Sequence, residues 1–483
     1  MNKTETSIRI AAAARHAWSS ASDLRSRRQR AKRFTYGDQW SDPTTDRNGR
    51  KVTEAEKARS KGREPMTNNL IRRLVKCIVG HFRLSLNAAN SIENRPADDN
   101  LNKVLSANSI DEIDARMLEE FLISGCAIQR IVAERRSHGK GVWVDNVNPA
   151  SFFVNSFCDP RGWDIELVGM LHNMSPAEAV MRFAHGDRTR ALKLRQHLNT
   201  IESYGDDNIL GADNSNSFSY APDNRLRIIE VWTLEASEEL CCHDPLNGSF
   251  TTAAANAALI SDINDQNNSR RNSGLPLIAT KWQMTTRWHC RWMTPDGTIL
   301  DEYDSPHSDG RHPFIVKFHP MTDGEVHSLV EDVIDQQIYV NNLITMINHI
   351  MNCSAKGALL FPVDSKIDNM EWSRVASMWA LPDAVIPYKP GAGGKEPHQV
   401  SSNATDIGAR ELLALEIQMF EDVSGVSNAL MGKTTGSGNV GVDRYESEVR
   451  NALVAIKDIL DTFNHFRTMR NETIMSLLQN GKY

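Results

Sequence analysis

Residues 324–354 carry the pattern that most restricts the fold of this chain, an uninterrupted helical repeat of about nine turns. Six apolar side chains recur along it at helical spacing: Val340, Leu343, Ile344, Ile347, Ile350 and Met351. A polar stripe runs opposite them: Asn341, Thr345, Asn348 and Asn352. This combination is typical of an amphipathic helix that packs along a neighbour.

The rest of the last third predicts two further helices. Residues 407–423 form one, and residues 443–478 form a longer one with Val449, Leu453, Ile456, Leu460 and Phe463 on one face. A glycine- and threonine-rich loop, residues 432–441, separates them. Short strands are predicted at residues 357–363 and 384–387, followed by the flexible glycine-rich segment 390–395.

The first two-thirds of the chain predicts an α+β domain with decorated loops. Helices are predicted at residues 8–35, 68–86, 110–125 and 175–182, the last with Ser175 as N-cap and Pro176 at the first helical position. Strands are predicted at residues 128–133, 141–147, 227–233, 282–293 and 313–318. Two polar stretches, residues 204–224 and 248–274, interrupt these elements.

Length and cysteine usage restrict the class of protein. With 483 residues, 40% of them hydrophobic, the chain is long enough for two or three packed domains. Its seven cysteines lack regular spacing and are interpreted as free thiols from a reducing compartment. The N-terminus has no signal-peptide core, and the most apolar stretch, residues 340–351, holds too many polar side chains to span a bilayer. We therefore expect a protein that is cytosolic when made.

Charge is divided unevenly along the chain. Residues 1–80 hold 19 Lys and Arg against 8 Asp and Glu, and the remainder holds 36 against 53. The densest basic run is Arg25, Arg27, Arg28, Arg30, Lys32 and Arg33. It fits either a contact with nucleic acid or an acidic partner, or a solvated helix face. A protein that grips DNA along its whole body would be basic throughout, and this chain is mostly acidic.

Two motifs contain the residue types of a phosphate-binding loop and of a metal site, but neither has the spacing that such a site requires. Residues 425–434 contain a phosphate-loop-like pattern, but six residues separate the glycines where such a loop has four. Metal-ligand types occur at Cys241, Cys242, His243, His289 and Cys290. Adjacent cysteines cannot chelate as a CxxC pair can, and no Ser, His and Asp grouping matches a nucleophile motif. The sequence therefore predicts no catalytic residue, no metal, no cofactor and no enzyme activity.

Three groups of residues carry a resemblance to a known family. The first is Phe34-x-x-Gly37-x-Gln39-Trp40, followed by Pro65, Asn68 and Asn69. The second is Gly324, Leu329, Val330, Asp332, Asp335 and Gln336, leading into Asn341 and Asn342. The third is Phe420-Glu421-Asp422-Val423-Ser424-Gly425-Val426 with Leu430, Met431 and Gly432. In order and spacing, over nearly the whole chain, they resemble the portal proteins of tailed bacteriophages, the head-to-tail connector ring subunits.

The resemblance implies an α+β portal-type subunit within a closed ring. It implies a wing domain at residues 1–323 with a basic segment at 1–80, a descending stem helix at 324–354, a clip at 355–405 and a returning stem helix at 406–423. It further implies a tunnel loop at residues 432–442 and a long helix at 443–483 directed toward a short crown.

The same resemblance implies a structural function in the virion, after assembly in the host cytoplasm. The family forms a twelve-membered ring at the capsid vertex, through which double-stranded DNA passes non-specifically during packaging and ejection. Expected partners are the terminase large subunit, the head-tail adaptor, and the major capsid and scaffold proteins, with no membrane. Two alternatives stay open: another ring-forming virion protein (a head-tail adaptor or tail component), and a DNA-packaging enzyme, which would need a Walker loop or an acidic metal site.

Candidate site residues fall into three sets. Loop residues that would touch DNA briefly are Lys433, Thr434, Thr435, Asn439 and Arg444. Acids that would repel the DNA backbone from the channel wall are Glu411, Glu416, Glu421 and Asp422, whose spacing does not place all of them on one helix face. Apolar residues that would contact the next subunit are Val340, Ile344, Ile347 and Met351. The alternatives are a plain hinge for the loop and a solvated face for the acids.

Overall fold

The computed structural model describes residues 5–46, 48–91, 99–136, 139–204, 217–221, 225–254, 257–307, 310–356, 358–363, 367, 370–380, 386–389, 396–400, 408–426 and 454–479. The chain divides into two compact units. The sheet unit comprises Met1–Ala31, Lys76–Glu331 and Ile456–Tyr483. The helical unit comprises Lys32–Val75 and Asp332–Ala455.

The described helices are α1 Glu5–Ser20, α2 Ser22–Tyr36, α3 Glu54–Ser60, α4 Leu70–Ser91, α5 Asp99–Ala107, α6 Ile110–Ser124, α7 Pro176–Phe183, α8 Arg188–Tyr204, α9 Ala257–Asn272, α10 Leu329–Lys356, α11 Trp372–Ala380, α12 Ala409–Ser424 and α13 Lys457–Gln479. The described strands are β1 Pro43–Thr45, β2 Lys51–Thr53, β3 Cys126–Arg136, β4 Gly139–Asn146, β5 Phe152–Val154, β6 Leu167–Met174, β7 Leu226–Asp244, β8 Ser249–Ala254, β9 Ala279–Met293, β10 Ile299–Asp304, β11 Phe314–Phe318, β12 Pro320–Thr322, β13 Glu325–Val326, β14 Ala358–Leu360 and β15 His398–Val400.

A six-stranded antiparallel sheet supplies the core of the sheet unit. Its order is β10-β9-β7-β6-β5, and β8 pairs with the far part of β7. The first seven residues of β7 are all buried, because both faces of the strand are covered. Ile229 and Val231 belong to a cluster that includes alanines of α1, and Ile228 and Trp232 belong to a larger cluster. Glu230, in the middle of this strand, is therefore kept from water.

A second sheet, β11-β3-β4, carries two helices of the same unit. α13 packs on β3 and β11, and α6 packs on β3 and β4. Aromatic rings join the layers: Phe463 of α13 lies 5.5 Å from Phe82 and 5.9 Å from Phe121 between ring centroids. Ten of the fifteen residues of α6 are buried, because the helix lies between the sheet and its neighbours rather than on the surface.

Many predicted elements are present with shifted ends. The helix predicted at residues 110–125 is α6. Ser175 caps α7 as predicted, and its hydroxyl accepts a hydrogen bond from the Glu178 amide at 3.2 Å. The single helix predicted over residues 8–35 is wrong, because a turn at Ala21 separates α1 from α2. The polar stretch 248–274 gave no periodic signal, yet it forms β8 and α9.

Helix α10 begins at Leu329 instead of residue 324. The Glu331 amide donates to the Ser328 hydroxyl at 3.1 Å, and the Ser328 amide donates to the Glu331 carboxylate at 3.2 Å. This reciprocal capping pair satisfies two otherwise unpaired amides and starts the helix. The preceding residues, Glu325–Val326, form strand β13.

Some predicted segments lie outside the described residues. They are most of the polar stretch 204–224, part of the strand predicted at 384–387, the glycine-rich segment 390–395 and residues 427–453, which include the loop 432–441 and the first part of the predicted C-terminal helix. Within the part of the chain that the structure describes, no helix is long and apolar enough to cross a membrane.

Candidate assembly and channel surfaces

A buried cluster of amide side chains joins α10 to the N-terminal part of the helical unit. Gln337 and Asn341 are 0% and 2% exposed. Gln337 Oε1 accepts from the Leu70 amide at 2.9 Å, and Nε2 donates to the Asn68 carbonyl at 2.7 Å. Asn341 Oδ1 accepts from the Asn68 amide at 3.0 Å, and Nδ2 donates to Gln39 Oε1 at 2.6 Å. Both ends of each buried amide therefore have partners, as burial requires.

The same network contains residues of the first two sequence motifs. Gln39 Nε2 donates to the Phe34 carbonyl at 2.8 Å, and Asn69 Nδ2 donates to the Thr35 carbonyl at 2.9 Å. One turn along α10, Thr345 accepts from the Met66 amide at 3.1 Å. Motifs that are distant in the sequence thus meet in one place. The polar stripe of α10 binds the chain's own backbone at Asn341 and Thr345 instead of facing water.

The four α10 residues predicted to contact a neighbouring subunit differ in exposure. Val340 is fully buried within its own chain. Ile344 and Ile347 are half-buried, and Met351 is 59% exposed. Val340 is therefore part of the subunit's own core, and only the later residues of the set reach the surface.

Helix α12 carries an apolar stripe that the described chain leaves in water. Leu412, Leu415, Met419 and Val423 are between 42% and 51% exposed. At 3.6 residues per turn they fall within an arc of roughly 80°. Gly408 and Gly425 bound the helix, both with positive φ of 65° and 66°, a conformation that glycine adopts without steric cost. Phe420, on another face, is buried.

The predicted channel-wall acids surround this stripe. Glu411 and Asp422 are exposed and border it on one side, and Glu416 is half-buried and borders it on the other. Glu421, also half-buried, lies on the opposite side of the helix. The helix therefore presents an apolar surface flanked by negative charge. The predicted loop residues Lys433, Thr434, Thr435, Asn439 and Arg444 lie outside the described residues.

Part of the basic run of α2 is used inside the sheet unit. The Arg25 guanidinium lies 3.7 Å from the centroid of the Trp18 ring, and burial lowers the pKa of Arg25 to about 10. Arg28 forms two hydrogen bonds with the Glu120 carboxylate, at 2.6 and 2.8 Å. Because these two side chains are committed to the fold, the run is not a continuous surface for nucleic acid.

Strand register separates the cysteines and histidines that offered metal-ligand types. Cys242 lies opposite Thr280, whereas Cys290 lies opposite Trp232. Ten residues along β9 separate the two groups, which is about 33 Å in a strand. Among the residues that the structure describes, no group of three or more His, Cys, Asp or Glu side chains could hold a metal ion.

The sheet unit contains a buried charge network that sequence reasoning missed. Glu230 is 0% exposed; its Oε1 lies 3.1 Å from Arg130 Nη2, and its Oε2 lies 2.8 Å from His172 Nε2. Trp232 Nε1 also donates to Glu230, at 2.9 Å. Burial alone would raise the pKa of Glu230, but the charge of Arg130 and the hydrogen bonds lower that pKa to about 2. An acid within the apolar run of β7 was the available signal.

A second buried acid holds α13 against α6. Asp114 is 0% exposed, and its carboxylate accepts from Arg467 Nε at 2.9 Å and from Arg470 Nη1. Burial lowers the pKa of the Arg470 guanidinium, and the negative charge of Asp114 opposes that shift. The pair fixes the position of a C-terminal helix within the sheet unit.

These features describe a protein of mixed α+β architecture, in which the described residues leave one apolar stripe of α12 exposed. The family model described as Phage P22-like portal protein matches residues 12–480. The chain belongs to the P22-like portal protein family of bacteriophages, a family of head-tail connectors of the virion. The resemblance seen in the three motif groups is thereby confirmed. A comparison with curated proteins finds no match.

Proposed function

We propose that this chain is the subunit of a twelve-membered portal ring, which forms the channel for packaging and ejecting double-stranded DNA at one capsid vertex. The observation that carries the proposal is the uncovered apolar stripe of α12. The described residues of a single copy leave Leu412, Leu415, Met419 and Val423 in water. Burying one such side chain contributes roughly 1.5–3 kcal/mol at most, and a ring repeats the contact at every subunit boundary. Half-buried Ile344 and Ile347 and exposed Met351 of α10 add to the same proposal.

A heterologous contact between the α12 stripe and a different surface of the next copy closes into a ring when the rotation allows it. In such a ring, the acids beside the stripe would act on the DNA. Exposed Glu411 and Asp422 on the channel side would keep phosphates from binding, so that the duplex slides. Loop 432–442 would touch DNA briefly through Lys433 and its short polar neighbours.

We further propose that residues 355–405 dock the terminase large subunit and later the head-tail adaptor. The described part of this segment exposes large apolar side chains: Leu360, Val363, Trp372 and Tyr388. Aromatic residues are enriched where proteins bind one another. The wing, residues 1–323, would face the major capsid and scaffold proteins. Assembly would take place in the host cytoplasm.

Substitution of one stripe residue tests the ring. Leu415→Asp places a charge in the proposed contact, and we expect purified subunits to lose rings with a central hole in negative-stain images. Leu192→Asp is the matched control, because Leu192 is a leucine of α8 with 54% exposure against 51% for Leu415. Rings of unchanged number from Leu415→Asp, or a wild-type chain that forms no ring with a hole wide enough for duplex DNA, would contradict the proposal.

A further inference from the structure

The far part of β7, β8 and β9 forms a three-stranded arm whose outer edges no described strand covers. β7 pairs with β9 from Ile229 to His243, but β10 covers β9 only from His289 to Met293. At Trp288, the amide donates to the Gly310 carbonyl, and the carbonyl accepts from the Ser305 amide. Within the described chain, no backbone pairs with the outer edge of β9 at residues 279–287.

The backbone groups that face this edge belong to even-numbered residues. The outward bonds of Trp288 set the alternation, so Trp282, Met284 and Thr286 also direct their amides and carbonyls outward. Trp282 and Met284 are 55% and 54% exposed. A long edge strand with large exposed apolar side chains tends to pair with another strand. Most proteins prevent such pairing by placing charges, proline or bulges on their edge strands.

The arm has a second and different open edge. β8 pairs only with β7 among the described strands, so its other side is also unpaired. None of the six residues of β8 is charged, and therefore Lys281 and Arg287 of β9 would meet no like charge there. Every copy of the chain carries both edges. Unlike edges that pair from one copy to the next give a heterologous contact, the kind that closes a ring.

We propose that the outer edge of β9 pairs with the outer edge of β8 in the neighbouring copy, so that a sheet is shared across each subunit boundary. This inference rests on the proposed ring and adds a contact separate from the α12 stripe. β8 and β9 are both antiparallel to β7 and so run in the same direction. Because neighbours in a many-membered ring differ by a small rotation, the shared pair is parallel. Its backbone hydrogen bonds supply affinity, and Trp282 and Met284 supply apolar contact.

The first test places a charge on the edge. Met284→Lys should raise the subunit concentration needed for ring formation by roughly tenfold, because edge lysines oppose strand addition. Met181→Lys is the control, since Met181 is 80% exposed on α7, away from the arm. Thermal unfolding of the isolated subunits should be the same for both variants. Equal ring formation by the two variants would overturn the proposal.

The second test uses cysteine pairs. Thr251 lies opposite Cys242, and Cys242 opposite Thr280, so Thr251 shares a face with Thr280 and Met284. In a Cys242→Ser background, which removes the native thiol opposite Thr251 and Thr280, Thr251→Cys combined in turn with Thr280→Cys, Met284→Cys or Thr286→Cys should give, in one of the three, a ladder of disulfide-linked subunits on oxidation. The oxidised Cys242→Ser background alone should give none, and Thr251→Cys with Lys281→Cys, on the opposite face, in that background should also give none. Intact rings with no ladder in any pair would overturn the shared sheet and leave the portal proposal standing, whereas absence of wild-type rings would overturn both.

Discussion

The buried networks described above differ in chemistry between the sheet unit and the helical unit. In the sheet unit, buried acids pair with arginines: Glu230 faces Arg130, and Asp114 faces two arginines of α13. In the helical unit, the network is built on the neutral amides Gln337 and Asn341, which bind the backbone around Asn68.

Buried charges and buried amides place different requirements on the fold. A buried charge is tolerated only while its partner is present, because desolvation of a lone ion costs several kcal/mol. A buried amide is satisfied only in one geometry, since the backbone groups that it binds are fixed. We infer that the sheet unit depends on ionisation, and that the helical unit depends on the register between α10 and the N-terminal motif.

Removing the acid of the charged network should have the largest effect. Glu230→Ala leaves Arg130, 7% exposed, without its buried counterion, and should lower the free energy of unfolding of the sheet unit by about 3–5 kcal/mol. Urea unfolding followed by the fluorescence of the nearby Trp232 and Trp292 measures it. Glu238→Ala, an exposed acid on the same strand, should change little; similar losses from both variants would mean that the network contributes nothing.

Breaking the amide network should cost less. Asn341→Leu removes the buried partners of the Asn68 amide and of Gln39 Oε1, at a cost of about 1–3 kcal/mol in the free energy of unfolding. Asn342→Leu is the neighbouring control, because Asn342 is exposed. The comparison between units fails if Asn341→Leu is as stable as Asn342→Leu in thermal or urea unfolding.

Lowering the pH should destabilise the sheet unit through Glu230, and this is the smallest of the three expected effects. The pKa of Glu230 is about 2 in the fold against an ordinary 4.5, so its contribution is present above pH 4.5 and is lost as the pH falls toward 2. Between pH 5 and pH 3 we expect a loss of roughly 1–2 kcal/mol from this group. Glu230→Gln should show a correspondingly weaker dependence on pH. An identical slope for wild type and Glu230→Gln would exclude Glu230 as the titrating group.

Short sequence patterns, such as capping residues and helical periodicity, correctly predicted several elements. Ser175 and Pro176 mark the start of α7 in both sequence and structure. The 3.6-residue repeat predicts α12 to within two residues of its ends. The α+β class and the portal resemblance follow from patterns of this kind, because element type and motif order are written in neighbouring residues.

Burial of polar groups could not be predicted in the same way. Asn341 and Thr345 form a polar stripe opposite the apolar residues of α10, yet their partners lie in a segment that is far away in the sequence. Conversely, Leu415 and Met419 have the spacing of a core-facing stripe, and only the structure shows that the described chain leaves them exposed. Periodicity identifies a helix face; it does not identify what covers that face.

The grip of Asp114 on α13 has a consequence for the synthesis of the protein. Asp114 and Arg470 are 356 residues apart in the sequence. At about 5–20 residues per second, a ribosome that has synthesised Asp114 needs roughly 20–70 s more to reach Arg470. During that interval α6 has no α13 to cover it, and the nascent sheet unit is incomplete. A chain that terminates before α13 therefore keeps an acid without its two arginines and leaves Phe82 and Phe121 without their contact to Phe463. Only a chain that extends through α13 can complete the network around Asp114.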